Sequence, residues 1–223
     1  MGILDWSFVI LLSSGLLFFL FTVVFLVLFL WTNRTYKQMK KKQAPKNKKK
    51  RRKFLRLRKQ LMKKRKGQGL KTLLFLILTI IALGSGVYSR NYQQNHLQGE
   101  DSGALVQSYY LLEDAVIQIN NVNTGENPQK SMKNIKEISS RLASYGARKS
   151  ALTLKEDGQL LLNRHYTALR ELGVNLNAQS IETLENNETV ETYLKDIKKV
   201  QESQKKVFKR FNVNEAALKQ RKK

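Results

Sequence analysis

The sequence contains no cysteine and only two prolines, Pro45 and Pro128. Without cysteine there are no disulfides, the usual support of small exported animal domains. That leaves an intracellular domain, or an exported protein of a bacterium that does not use disulfides. The lysine- and asparagine-rich, tryptophan-poor style matches a low-GC Gram-positive bacterium. Strand signals are missing as well, with no long alternation of β-branched residues and no Asn-Gly hairpin turn. There is no G-x-S-x-G, no phosphate-cradling glycine loop and no dinucleotide fingerprint. The two histidines, His96 and His165, form no H-x-x-x-H pair and make a poor metal site, and His165 is expected as a flank or interface residue of a helix. Glu113–Asp114 and Glu156–Asp157 are sequence neighbours and so point to different helix faces, unlike a catalytic carboxylate pair. These absences predict a non-enzymatic, all-α protein with no metal and no cofactor.

Acidic residues are absent where basic ones are densest. Residues 34–71 hold 20 Lys or Arg and no Asp or Glu, so this stretch supplies +20 of the formal net charge of +24. Residues 89–223 hold 21 basic and 16 acidic residues, a net +5, and Asp5 contributes −1. The high isoelectric point belongs to one segment and says little about the rest of the chain.

Two stretches on either side of that segment lack charge. Residues 6–31, from Trp6 to Trp31, contain no ionisable side chain and as a helix would extend about 39 Å, beyond the roughly 30 Å hydrocarbon core, so a tilt is expected. Trp6 and Trp31 bracket the run, where indoles favour the two membrane interfaces. A cleaved signal peptide fits poorly, because the first residues carry Asp5 and no Lys or Arg and no small-x-small cleavage site follows. Residues 70–88 form a second, shorter apolar run, uncharged from Thr72 onward, within the spanning range. The small residues Gly15, Ala82 and Gly86 are candidates for close packing between the two helices, Ala82 and Gly86 in small-xxx-small spacing. No ionisable residue lies inside either uncharged run, which removes the usual marker of a transporter or proton path.

Charge sets the expected orientation. Moving the basic segment outward against a membrane potential would cost about 2.3 kcal/mol per charge per 100 mV, so residues 32–69 are expected inside. The short tail 1–5 and the C-terminal domain are then outside. Within the basic loop, Phe54, Leu57 and Leu61 follow helical spacing, predicting an amphipathic helix over about 53–66 lying on the inner leaflet. Its partners would be anionic headgroups, met by Lys48, Lys49, Lys50, Arg51, Arg52, Lys53, Arg56, Arg58, Lys59, Lys63, Lys64 and Arg65, each contributing roughly 1 kcal/mol. An acidic protein is a competing partner. Nucleic acid is disfavoured, because only Tyr36 and Phe54 interleave with the charges as stacking residues.

Residues 89–101 read as a polar stalk and residues 102–212 as a domain of about four amphipathic helices, expected to form an antiparallel bundle. Leu105, Tyr109, Leu112, Val116 and Ile119 form the first stripe. Gly125 and Pro128 mark a turn. A second helix over about 129–145 ends with Gly146 as a C′ residue, and a third over about 149–172 ends at Gly173, with Gly158 a possible kink. The fourth, about 188–211, has a stripe interrupted by Gln201 and Gln204, which leaves self-association as a coiled coil open. Residues 213–223 are expected to be a basic, frayed tail.

The layout predicts a double-pass membrane scaffold or accessory subunit of a bacterial envelope assembly, binding partner envelope proteins or a second copy through its outer domain. A sensor with a pocket near Tyr109, Tyr145, His165 and Gln204 is an alternative, as is a membrane immunity or exclusion protein.

Overall fold

The computed structural model describes residues 3–221 and is all-helical, with no strand among the described residues. Two compact units divide the chain, Met1–Asn91 and Tyr92–Lys223.

The first unit is built from α1 (Ile3–Lys41) and most of α2 (Lys48–Asn95). Both are long and apolar enough to cross a membrane, and only 11% and 17% of their most apolar windows are covered by protein. Their contacts run in antiparallel register. The Ser7 and Ser89 hydroxyls lie 3.5 Å apart, Phe75 packs among Phe18, Phe21 and Phe25, and Arg65 donates to Asn33 Oδ1 at 3.3 Å. Thr22 and Thr79, buried between apolar neighbours, donate their hydroxyls to the carbonyls of Phe18 and Phe75 four residues back, which leaves no unmet donor in an apolar setting.

Neither helix stops where its apolar run stops. α1 continues ten residues past Trp31, and α2 begins 22 residues before Leu70. The expected separate helix over 53–66 is therefore an internal part of α2. Lys and Arg are good helix formers, and neither proline nor a positive-φ residue breaks the chain between Lys48 and Asn95. The expected stalk is likewise mostly helical, since α2 runs to Asn95 and α3 begins at Gly99.

In the second unit α3 (Gly99–Asn123), α4 (Pro128–Gly146), α5 (Glu156–Asn177) and α7 (Asn187–Phe211) enclose one apolar core that includes Leu105, Leu112, Ile119, Ile135, Leu142, Leu162, Leu169, Ile197 and Val207. The short α6 (Ile181–Leu184) and the terminal α8 (Glu215–Arg221) complete it. Local chemistry sets the helix ends. Gly125 and Asn127 take positive φ of 77° and 47° ahead of Pro128, which occupies the first turn of α4. Ser180 and Thr183 form a reciprocal capping box on α6, and Asn186 Oδ1 accepts from the amides of Glu188 and Thr189.

Three expectations change here. Residues 147–155 are a loop and not the start of a helix, because their amides bond elsewhere: Ser150 N to Asn163 Oδ1, Ala151 N to Asp101 Oδ2 and Lys155 N to the Gln94 carbonyl. Gly146 is the last residue of α4 and also a close-approach residue, whereas Gly173 lies inside α5 and is a close-approach residue, not a terminator. A Cβ at Gly173 would fall 2.5 Å from Ala143 N, and one at Gly146 would fall 2.5 Å from the Tyr166 carbonyl oxygen. That is backbone against backbone where α4 crosses α5. The tail folds as α8, where Leu218 is buried and its carbonyl accepts from the Tyr110 hydroxyl at 3.0 Å.

Candidate functional site

The basic extension of the first unit begins at Asn47, whose side-chain oxygen accepts from the Lys49 amide at 3.1 Å and so caps α2. An asparagine directly before a run of good helix formers is the sequence signal for this cap. Over the next turn and a half, Lys48, Lys49, Lys50, Arg51, Arg52 and Lys53 are all exposed. Further along, Arg56, Lys59, Lys63 and Lys64 are exposed, while Arg58 and Arg65 are half-buried. The covered stripe is Phe54, Arg58, Leu61, Arg65 and Gln68, stepping by four and three. Leu57, expected on the apolar face with Phe54 and Leu61, is 52% exposed. On α1 the half-buried positions of the matching region are Thr32, Asn33, Tyr36 and Met39. Arg65 joins the two stripes, with its guanidinium 4.6 Å from the centre of the Tyr36 ring and a hydrogen bond to Asn33. Tyr36 is thereby occupied by a cation of its own chain.

The aromatic and small residues expected to set the apolar region fall as follows. Trp6 is 58% and Trp31 71% exposed. Gly15 lies against Leu83 and Ala82, so closely that a Cβ would meet Leu83 Cδ2 at 2.7 Å, and Ala82 is buried. Gly86 faces Leu11, which would sit 3.7 Å from an added Cβ. Lys71 extends over the Phe25 ring at 5.4 Å, carrying a charge beside the apolar run on an aromatic face.

The second unit holds its polar chemistry in its interior. Asp101 is buried and accepts from the Tyr166 hydroxyl at 2.8 Å and the Ala151 amide at 3.0 Å. Burial and that neighbouring carboxylate push the Tyr166 hydroxyl above the phenol range. Gln204, which interrupts the stripe of α7, is buried, and its amide donates to the Leu105 carbonyl and to Ser108 Oγ, each at 3.1 Å. The interruption is thus a satisfied polar contact between α7 and α3. His165 lies at the centre with no exposed surface. Neither ring nitrogen meets a hydrogen-bond partner among the described residues. Burial lowers its pKa to about 4, so the ring is neutral.

The four residues of the expected ligand pocket are not brought together. Tyr109 and Gln204 line a cleft of about 170 Å³ with Glu113, Phe208 and Glu215, whereas His165 is sealed in the core and Tyr145 lies at the C-terminal end of α4. In the cleft, burial and Glu113 raise the Tyr109 pKa to about 12. A second shallow cleft, about 270 Å³ between α5 and α7, is lined by Glu171, Asn175, Tyr193, Asp196 and Lys199. Both are smaller than the roughly 300–1,000 Å³ of an ordinary small-molecule site, and a third, open cleft of about 360 Å³ lined by Gln179, Glu188, Thr192 and Tyr193 reaches only its lower end. Among the described residues no group of three or more His, Asp or Glu is placed to hold a metal. At the surface Arg210 donates to Asp157 at 2.7 Å and Arg148 to Glu100 at 2.7 Å. The Arg210 contact holds the Asp157 carboxyl below its ordinary value.

The chain matches no family model, and comparison with curated proteins and with solved structures finds no match.

Proposed function

We propose that the chain is a non-enzymatic, double-pass membrane scaffold of a bacterial envelope assembly. α1 and α2 would form a transmembrane hairpin, with the basic segment inside and the second unit outside, offering its helical surface to partner envelope proteins. One observation carries this reading: two long apolar helices leave most of their surface uncovered by protein and are joined by a stretch of 20 basic and no acidic residues. In water that apolar surface would be an aggregation liability, whereas in a bilayer it is the solvated face. The charge then selects the side, since basic segments next to spans stay in the cytoplasm.

The interior of the second unit supports a binding role over catalysis. Its buried ionisable groups, Asp101, His165 and Tyr166, are sealed in the core, Arg148 and Arg210 are paired at the surface, and its clefts are shallow. A domain of this kind recognises partners through exposed helix faces, where Leu160 and Val174 on α5 and Ile117 on α3 are about half exposed. Such anchoring raises local concentration: a weakly binding domain held at a surface gains effective concentration for partners held at the same surface.

The natural absence of cysteine makes the topology directly testable. Single cysteines at Gln43 and Ser89 are to be probed in intact cells with a membrane-impermeant maleimide. Labelling at Ser89 and protection at Gln43 are expected, and labelling at Gln43 from outside would refute the orientation. For the scaffold role, mild detergent extraction at native expression should recover the chain in a complex. A chain that is monomeric and partner-free would refute it.

A further inference from the structure

We infer that the distal end of the basic extension is a docking surface for double-stranded DNA, read through its phosphate backbone. The inference rests on the spanning reading above only for the distance between this surface and the bilayer.

That distance separates the basic segment into two parts. α2 is continuous from Lys48 into the apolar run that begins beyond Leu70. At 1.5 Å per residue, Lys59 lies about 17 Å and Lys48 about 33 Å along the helix from Leu70. A tilt of about 40°, at the upper end for membrane helices, still leaves roughly 13 and 25 Å. The headgroup layer takes up about 5–7 Å of this, and the Debye length at physiological salt is about 8 Å, so attraction from headgroups has decayed severalfold before it reaches residues 48–53, though not at Lys59. Lys63, Lys64, Lys66 and Lys71 remain close to the headgroups. Residues 48–53 lie beyond that reach and are free to meet another polyanion.

Their arrangement fits a polyanion of high linear charge. Residues 48–59 hold nine Lys or Arg and no acid. Spread over about 18 Å of helix, this is one positive charge per 2 Å, beside one negative charge per roughly 1.7 Å of DNA axis. A planar lipid surface would use one face of a helix. Here the six residues 48–53 are exposed and basic all the way round, with protein cover appearing only from Phe54 onward. A bare helix about 10–12 Å across enters the roughly 12 Å major groove of B-form DNA with phosphates on both sides. The deep, narrow major groove of A-form RNA does not admit it. An acidic peptide matches the sign of the charge but not the two-sided geometry.

The missing stacking residues set the mode of binding without excluding it. Tyr36 is occupied by Arg65, and Phe54 is half-buried. Base stacking is therefore unavailable at this end, while phosphate contacts need no aromatic ring. The surface is expected to bind duplex without sequence preference and with steep salt dependence.

The test uses the full chain in nanodiscs of zwitterionic phosphatidylcholine, which exposes both membrane faces, so its outcome is independent of the orientation tested above. A fluorescein-labelled duplex DNA of about 24 base pairs is titrated by anisotropy. With about six phosphates neutralised, affinity should fall roughly a thousandfold between 50 and 200 mM salt. Replacing Lys48–Lys53 together by Gln should weaken binding at least about a hundredfold and flatten the salt slope by about five. These side chains are exposed, and circular dichroism checks that the variant is folded. Replacing Lys63, Lys64 and Lys66 by Gln should change affinity less than about threefold, because those charges lie about 15 Å or more along the helix from residues 48–53, beyond the Debye length. Three outcomes would overturn the inference. One is a polyglutamate peptide or A-form RNA duplex of equal charge binding as tightly as the DNA. Another is equal losses from the distal and proximal variants. The last is quenching of a fluorophore at position 55 by labelled lipid in discs containing anionic phosphatidylglycerol, which would place the distal end on the bilayer.

Discussion

Replacing His165 by Leu should remove an acid-sensitive weak point from the second unit. The ring is fully buried, both nitrogens lack partners, and its pKa falls to about 4 from an ordinary value of 6.5. In the unfolded chain the ring takes up a proton as pH falls below about 6.5, while in the folded chain it stays neutral until about 4. Stability from this site is therefore complete above the unfolded value and is lost as pH falls towards the folded value. The full difference corresponds to about 3 kcal/mol, of which about 2 kcal/mol is lost by about pH 5. Both tryptophans, Trp6 and Trp31, belong to the first unit. Tryptophan fluorescence therefore does not report directly on this core, and hydrogen exchange of the α5 amides in the full chain is the better measurement. After correction for intrinsic exchange, wild type should lose about 2 kcal/mol more opening free energy than His165→Leu between about pH 7 and pH 5. At neutral pH the variant should be more stable by about 1 kcal/mol, since it removes two unpaired buried nitrogens. Parallel losses in the two proteins would refute the reasoning.

The α4–α5 crossing should be the least forgiving place for a methyl group. Gly173→Ala would place Cβ 2.5 Å from Ala143 N and 2.7 Å from the Ser139 carbonyl oxygen, and should cost about 3 kcal/mol in thermal unfolding followed by circular dichroism. Gly158→Ala meets only the Phe211 ring, at 2.9 Å, and gains helix propensity, so a cost below about 1 kcal/mol is expected. Equal effects would refute the backbone-contact argument. Asp101→Ala strips the acceptor from two donors and should cost about 3 kcal/mol, with faster hydrogen exchange across residues 147–155. Tyr166→Phe, which leaves the carboxylate its Ala151 amide, should cost about 1 kcal/mol in the same measurement. Gln204→Leu should cost less than about 1.5 kcal/mol, because Ser108 Oγ still donates to the Leu105 carbonyl at 3.0 Å. A loss above about 3 kcal/mol by denaturant titration would show that Gln204 holds more than those two contacts.

Periodicity made the apolar faces legible: Leu105, Leu112, Ile119, Ile135, Leu142, Leu162, Leu169 and Ile197 are core residues at helical spacing. Where a residue's role depends on something distant in sequence, the same reading failed. The loop at 147–155 looked helical because nothing nearby opposes a helix. Its amides are drawn off by Asp101, 50 residues away, and by Gln94 and Asn163. Gly173 resembled a helix end because a terminating glycine and a close-packing glycine are identical on paper and differ only in the helix lying against them. Gln204 resembled a flaw in a stripe because its acceptors are on α3.

The basic segment failed differently, and the reason bears on what it does. Its boundaries with the apolar runs are sharp in polarity, and polarity suggested a loop, a separate amphipathic helix and a span. Polarity reports which solvent a helix prefers at each level, whereas continuity of the helix depends on propensity and on backbone breakers. Between Lys48 and Asn95 the interior glycines cost about 1 kcal/mol each and no proline intervenes. Lys, Arg, Leu, Gln and Met keep the helix going through the change of solvent. A flexible loop of this composition would collapse onto the nearest anionic surface. On the proposed spanning reading, a helix continuous with its own apolar run would hold its far charges away from that surface, which leaves residues 48–53, and not the charges next to the apolar run, as the proposed DNA-docking surface.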